Sequence, residues 1–444
     1  MKTPELLAPA GNLKNLRYAI AYGADAVYAG MPRYSLRVRN NDFDTLEQLK
    51  SGIDEVHSAG KQFFLATNVS PHNAKLKTFI RDIEPIVELG PDALIMADPG
   101  LIMMVRERWP EVEVHLSVQA NTVNYASVKF WQSLGLTRVI LSREMSLDEI
   151  SEIRQECPQM ELEVFVHGAL CIAYSGRCLL SGYFNHRDAN QGSCTNSCRW
   201  EYDVKPAEEN ESGDVVLQDL TGSPLASQTG SGERHAASEG VYLLEEKERP
   251  GEYMPVEEDE HGTYIMNSKD LRAVEHVQRL VEMGVDSLKI EGRTKSHYYA
   301  ARTAQVYRRA IDDAVAGRPF DPSLLGVLEN LANRGYTDGF YQRHHTREYQ
   351  NYLSNHSDSL QQKFVGEVES FDAESGMAVI DVKNKFAVGD SLELMTPQGN
   401  QMITLEAMSD EKGNAMSEAP GGGYRVKIPL PQGAYDKALI AKNL

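Results

Sequence analysis

Over its first 170 residues the chain alternates short β-branched or apolar runs with longer segments whose apolar residues recur at helical spacing. This alternation limits the fold more than any other feature. The runs fall at 6–9, 26–29, 63–67, 93–97, 112–118, 138–141 and 162–166, and an eighth at 287–290 follows a long interval. Segments between them, such as 12–22, 79–89, 125–134 and 146–157, carry the helical period. Repeated βα units call for a mainly parallel sheet covered by helices. Eight units favour a (β/α)8 TIM-like barrel over an open doubly wound sheet. The first turn, Ala8-Pro9-Ala10-Gly11-Asn12, lacks the G-x-G-x-x-G pattern of a dinucleotide fold and points the same way.

The unit between runs seven and eight is overlong. It holds four cysteines within 168–200, then a stretch at 206–240 rich in Ser, Gly, Glu and Thr that reads as a mobile loop. An extra strand is expected at 263–267, and a long helix over 296–314. Beyond 360, short strand-like runs at 364–368, 378–382, 391–395, 402–405 and 425–428 indicate a small β-barrel domain. The expected division is a catalytic domain of 1–200 and 256–345 that includes the cysteine loop 168–200, an acidic, partly mobile insertion at 201–255, and a C-terminal domain of 360–444.

The formal net charge of −19 argues at first against a nucleic-acid partner. Residues 201–262, however, carry 17 acidic and 4 basic side chains, a local net of −13, which leaves −6 for all the rest. Basic patches elsewhere therefore remain open to RNA. No apolar span approaches the roughly 20 residues a membrane helix needs, and the N-terminus has no signal-like apolar core. A cytoplasmic protein is expected.

Four of the five cysteines fall at Cys171, Cys178, Cys194 and Cys198, spaced C-x6-C-x15-C-x3-C, while Cys157 stands apart. Clustered thiols in a reducing compartment suggest metal or redox chemistry rather than disulfides. Four thiolates suit either tetrahedral zinc or an iron–sulfur cluster. Zinc sites usually use tight C-x2-C pairs, so the wide spacing leans toward a cluster, with zinc still open.

The run Glu163-Val-Phe165-Val-His167-Gly168-Ala169-Leu170-Cys171, continued by Tyr174-Ser-Gly176-Arg177-Cys178, resembles the signature of the collagenase-like peptidases of unassigned mechanism. So do 6–11, 25–30, 267–271 and Glu291-Gly-Arg293-Thr-Lys295-Ser296, and the resemblance covers nearly the whole chain. Within that family the segments 33–41, 71–81, 141–144 and 383–400 look most like the branch of bacterial prephenate-dependent tRNA hydroxylases. That resemblance implies formation of 5-hydroxyuridine at wobble position 34 of tRNA, dependent on prephenate and not on dioxygen. It also implies a [4Fe-4S] cluster on the four clustered cysteines. The rivals are hydroxylation of rRNA or of a quinone precursor, a protein that delivers tRNA or the acid to another enzyme, and a peptidase. No H-E-x-x-H or G-x-S-x-G motif supports the last. A Cys171 committed to a cluster is also unavailable as a nucleophile.

In such a barrel, chemistry gathers at the C-terminal ends of the strands. There the sequence sets Asn68, Asp98, Gln119, Arg143, Glu144, His167, Glu291, Arg293 and Lys295. Asn68, Gln119, Arg143, Arg293 and Lys295 are the candidate substrate-binding residues, with Arg293 and Lys295 assigned to the carboxylates of the acid. His167 and Glu291 are the candidates for proton transfer, because placing a hydroxyl on uracil C5 must eventually remove the C5 proton. The competing readings are structural: a Glu291–Arg293 pair across a strand end, and interior hydrogen bonds for Asn68 and Gln119. For the tRNA anticodon stem-loop, Arg33, Tyr34, Arg37 and Arg39 offer charge and a ring for stacking, and Lys75 and Lys77 form a second basic stretch with His72 and Arg81. A third is Arg343, His344, His345 and Arg347. An electron donor is a further possible partner.

Overall fold

The computed structural model describes residues 2–31, 33–36, 42–170, 270–331, 333, 335–342 and 362–444, and strand backbone within 202–263. Eight parallel strands close on themselves: β1 Glu5–Pro9, β2 Ala26–Gly30, β3 Gln62–Thr67, β4 Ala93–Met96, β5 Val114–Leu116, β6 Arg138–Ile140, β7 Glu161–Ala169 and β8 Ser287–Ile290. Closure comes from β8 pairing with both β7 and β1, with Glu5 opposite Ser287 and Leu7 opposite Lys289. The (β/α)8 expectation holds. Strands such as β2 are buried along their whole length, as parallel strands covered by helices outside and side chains inside must be.

The helices begin where the sequence supplies caps. Asn12 Oδ1 accepts from Asn15 N at 2.7 Å to start α1, Leu13–Ala21. Thr45 with Gln48 and Ser146 with Glu149 form capping boxes for α2, Leu46–Ser58, and α6, Leu147–Glu156. Asp98 followed by Pro99 opens α4, Pro99–Arg108. The remaining helices are α3 Asn73–Val87, α5 Tyr125–Ser133, α7 Val277–Met283, α8 His297–Val315 and α9 Ser323–Glu329.

Of the extra strand expected at 263–267, residues 264–267 lie outside the described residues. A further strand at Asp270–Arg272 pairs antiparallel with the upper end of β7. Within the stretch 206–240, read from its composition as a mobile loop, 206–209 and 215–217 are strand, part of a four-stranded antiparallel sheet of Val215–Leu217, Tyr202–Glu209, Val241–Glu246 and Tyr253–Val256. The run Val215-Val-Leu supplies strand-forming residues that overall composition concealed.

The C-terminal domain is a seven-stranded antiparallel sheet: β9 Gln362–Asp372, β10 Met377–Val382, β11 Ser391–Thr396, β12 Gly399–Thr404, β13 Ser409–Asp410, β14 Arg425–Pro429 and β15 Leu439–Asn443, in the order β12-β11-β15-β9-β10-β14-β13. It has its own core around Val365, Ile380, Phe386, Leu394 and Ile440. The domain docks on α1 and α8. Arg302, 1% exposed, bonds Glu393 at 2.5 and 2.9 Å, and Tyr298 stacks on Phe364 with ring centroids 4.7 Å apart. Glu367 meets Lys14 at 2.6 Å and His297 at 3.2 Å. Tyr22 closes the contact by donating to the carbonyls of Met395 and Lys437. Among the described residues, no helix is long and apolar enough to cross a membrane.

Candidate functional site in the barrel mouth

Alternation along the strands decides what faces the lumen. On β8, Ser287, Lys289 and then Glu291 point inward, while Leu288 and Ile290 pack outward under the helices. On β7 the inward residues are Glu163 and Phe165. The lower lumen is thereby filled with charge. Arg138 bonds Glu5 at 2.7 Å and Glu163 at 3.2 Å, and Lys289 Nζ bonds Glu163 at 2.7 Å. Burial alone would raise the Glu163 carboxyl, but Lys289 and Arg138 together hold it below the ordinary carboxylate range. Burial pulls the Lys289 ammonium below the usual lysine range, against the attraction of Glu163.

Above this floor a cavity of about 60 Å³ opens toward the C-terminal ends of the strands. Five of the residues singled out from sequence line it: Asn68, Gln119, Arg143, Glu291 and Arg293. Arg143 lies 3.8 Å over the Phe165 ring and reaches Glu291 at 3.5 Å. Arg293 donates to Ser35 Oγ at 2.8 Å and to the Leu36 carbonyl at 2.5 Å. Room for this guanidinium depends on Gly30, where a Cβ would come within 2.0 Å of Arg293 Nη1. Asn68 is partly structural: its Oδ1 accepts from Leu36 N at 3.3 Å and its Nδ2 donates to Ser117 Oγ at 3.2 Å. Gln119 sits on a short 3-10 turn at Val118–Ala120 that follows β5 and puts its amide at the rim.

Other candidates sit elsewhere. His167 lies outside this lining. A register shift between β7 and β8 turns it into the layer between sheet and α8, where the rings of Tyr299, Tyr307 and Tyr336 surround it and Tyr307 Oη is 3.3 Å from Nδ1. Burial, with Lys295 and Arg272 adding, pushes its pKa down to about 3. It is a neutral packing imidazole, so the proton-transfer role does not fit its place. Lys295 is likewise absent from the lining; its ammonium lies 5.5 Å over Tyr299 and its carbonyl accepts from Asn15. Asp98 caps α4.

Of the RNA candidates, Tyr34 is fully buried, edge-on to Phe79 with its hydroxyl donating to Asp82 at 2.8 Å. It anchors the loop after β2 and has no exposed face on which to stack a base. Arg33, half-exposed with φ of 77°, pairs with the same Asp82 at 2.7 Å. On α3, Lys75 is half-buried and Lys77 exposed. Arg37 and Arg39, the cysteines 171, 178, 194 and 198, and the basic stretch 343–347 lie outside the described residues.

The residues missed from sequence are Lys289, Tyr28 and Phe165, which build the cavity floor. The signal was available in Ser287-Leu-Lys289-Ile-Glu291, whose polar residues recur at the strand period of two.

The chain is similar to known proteins over its whole length. The chain is 63% identical to tRNA hydroxylation protein P of Escherichia coli over all of its own length and 97% of that protein's. It is 58% identical to tRNA hydroxylation protein P of Haemophilus influenzae over 99% of this chain and 96% of the relative. With tRNA hydroxylation protein P1 of Bacillus subtilis it shares 34% identity over 100% of this chain and 95% of the relative. The model of the Peptidase family U32 C-terminal domain matches residues 361–441. The Peptidase family U32 model matches residues 11–351, from the first βα turn past the last helix of the barrel, and the chain belongs to that family.

Proposed function

We propose that this protein hydroxylates tRNA, forming 5-hydroxyuridine at the wobble position with prephenate as co-substrate. The observation that carries the reading is the similarity over the full length to proteins named for tRNA hydroxylation. The barrel mouth supports it chemically. A pocket lined by Arg143, Lys289 and Arg293 suits an acid, and the amides of Asn68 and Gln119 suit a base or the acid's carbonyl. Glu291 is the lining carboxylate suited to take up a proton. Exposed Lys77 and Arg81, beside the mouth on α3, are suited to phosphate contacts.

Cys171, Cys178, Cys194 and Cys198 offer the four thiolates that a [4Fe-4S] cluster requires. Such a cluster would supply one-electron chemistry or an iron site for an oxygen-bearing ligand. The protein's own side chains would bind the acid, hold the uracil with C5 toward the pocket, and accept the C5 proton. Nucleoside mass spectrometry of tRNA and rRNA from a deletion strain tests the reading. The expected result is loss of 5-hydroxyuridine from tRNA alone, restored by the wild-type gene and not by Cys194→Ala. An unchanged tRNA profile in the deletion strain overturns the function; full restoration by Cys194→Ala overturns the role of the cluster.

A further inference from the structure

Lys289 is 3% exposed and sits at the floor of the mouth cavity. Its ammonium has three N–H donors, and among the described residues it makes one hydrogen bond, to Glu163 at 2.7 Å. Glu163 also accepts from Arg138 at 3.2 Å, an arginine it shares with Glu5 and Glu161, so Lys289 is its nearer counter-ion and has two further N–H donors beside the cavity. The ammonium lies 4.4 Å over the Tyr28 ring, which Arg293 also faces at 5.7 Å. It lies 5.5 Å from the Phe165 ring, whose centroid is 3.8 Å from Arg143. Three cations are thus strung along two rings around one small cavity, and Glu291 is the lining carboxylate. Glu163 beneath the floor pairs with Lys289 and Glu291 pairs with Arg143, so these five groups leave the site one positive charge in excess, which favours an anion in the cavity.

We propose that Lys289 seats one carboxylate of the small-acid co-substrate at the cavity floor, with Arg143 as the second cation, and that the acid enters arm first. The size of the cavity sets this orientation. About 60 Å³ accommodates a few waters, or a carboxylate with its adjoining carbonyl, but not a substituted six-membered ring. The ring and its second carboxylate then stay at the mouth, beside Asn68 and Gln119. The inference rests on the reading that a small acid is the co-substrate, and it identifies the group of that acid that enters the barrel.

The test is calorimetric binding of prephenate to the anaerobically purified holoprotein, with phenylpyruvate and benzoate as competitors. Phenylpyruvate keeps the keto-acid arm, whereas benzoate keeps only a ring carboxylate. Phenylpyruvate is expected to compete and benzoate not. Lys289→Met is expected to weaken prephenate binding by at least 30-fold and to raise its KM with little change in the KM for tRNA, a split that general damage to the fold does not produce. Glu163→Gln/Lys289→Met, which removes both members of the pair, guards against misfolding and should show the same loss. Wild-type affinity in either variant, or competition by benzoate alone, overturns the proposal while leaving the co-substrate reading intact. Failure of wild type to bind prephenate, with hydroxylation proceeding without it, removes that reading as well.

Discussion

Two buried arginine–carboxylate pairs in this molecule have opposite surroundings. At the domain junction, Arg302 meets Glu393 through two short bonds, 2.5 and 2.9 Å, and also donates to Tyr298 and Gln362. Glu393 accepts further bonds from Gln362 and Asn400, each at 2.7 Å. At the barrel mouth, Arg143 reaches Glu291 at 3.5 Å, the limit of a hydrogen bond, over the face of Phe165 and beside a cavity. The junction pair has the short, multiple bonds that repay the desolvation of buried charge. The mouth pair has one long contact and lines a cavity. Burial and charge are common to both; bond length and access to open space separate them.

The comparison breaks most readily at the junction. Arg302→Ala strands Glu393 in the interface and is expected to cost about 3–5 kcal/mol in urea unfolding, whereas Arg302→Met/Glu393→Gln should recover much of that loss. Arg143→Ala should reverse the pattern, costing less stability than Arg302→Ala because Glu291 borders a cavity, and lowering tRNA hydroxylation by roughly 100-fold, about 2.7 kcal/mol of transition-state binding. Equal stability losses at the two sites would erase the distinction.

A third buried group sharpens it through pH. The folded pKa of His167 is about 3, against an ordinary value of 6.5. The unfolded chain therefore binds the extra proton first as pH falls. Stability is full above pH 6.5 and drops by roughly 1.4 kcal/mol per unit on acidification toward 3. His167→Gln should flatten that component in denaturation midpoints measured at pH 5 and 7, with little effect on activity at pH 7. The smallest effect is expected at the surface: Lys77→Ala should weaken tRNA binding two- to threefold and reduce the salt dependence by about one phosphate contact, with no change in stability.

The fold was legible because periodicity speaks directly to burial. Eight apolar runs separated by helical segments leave few alternatives, and the caps at Asn12, Thr45 and Ser146 are local signals. The site was legible only where a residue follows a strand end, as Asn68, Gln119, Arg143, Glu291 and Arg293 do. His167 also stands near a strand end, but a register shift between two strands, which no single stretch of sequence encodes, turned it out of the lumen. Tyr34 was misjudged because a loop tyrosine among arginines suggests stacking, whereas its place under α3 depends on Phe79 and Asp82, more than 40 residues away. Lys289 was overlooked because attention fell on residues after the strands, not on polar residues within them.

The pairing of Glu5 with Ser287 has a consequence for synthesis. The strand that completes the barrel leaves the ribosome some 280 residues after the strand it must join. The first seven strands consequently wait with two unsatisfied edges while the acidic segment emerges. The helix α8 follows this strand, and the C-terminal domain that docks on it is made last. Nascent chains halted before residue 287 should therefore be sensitive to protease and dependent on chaperones, and resistance should rise abruptly once α8 has cleared the exit tunnel.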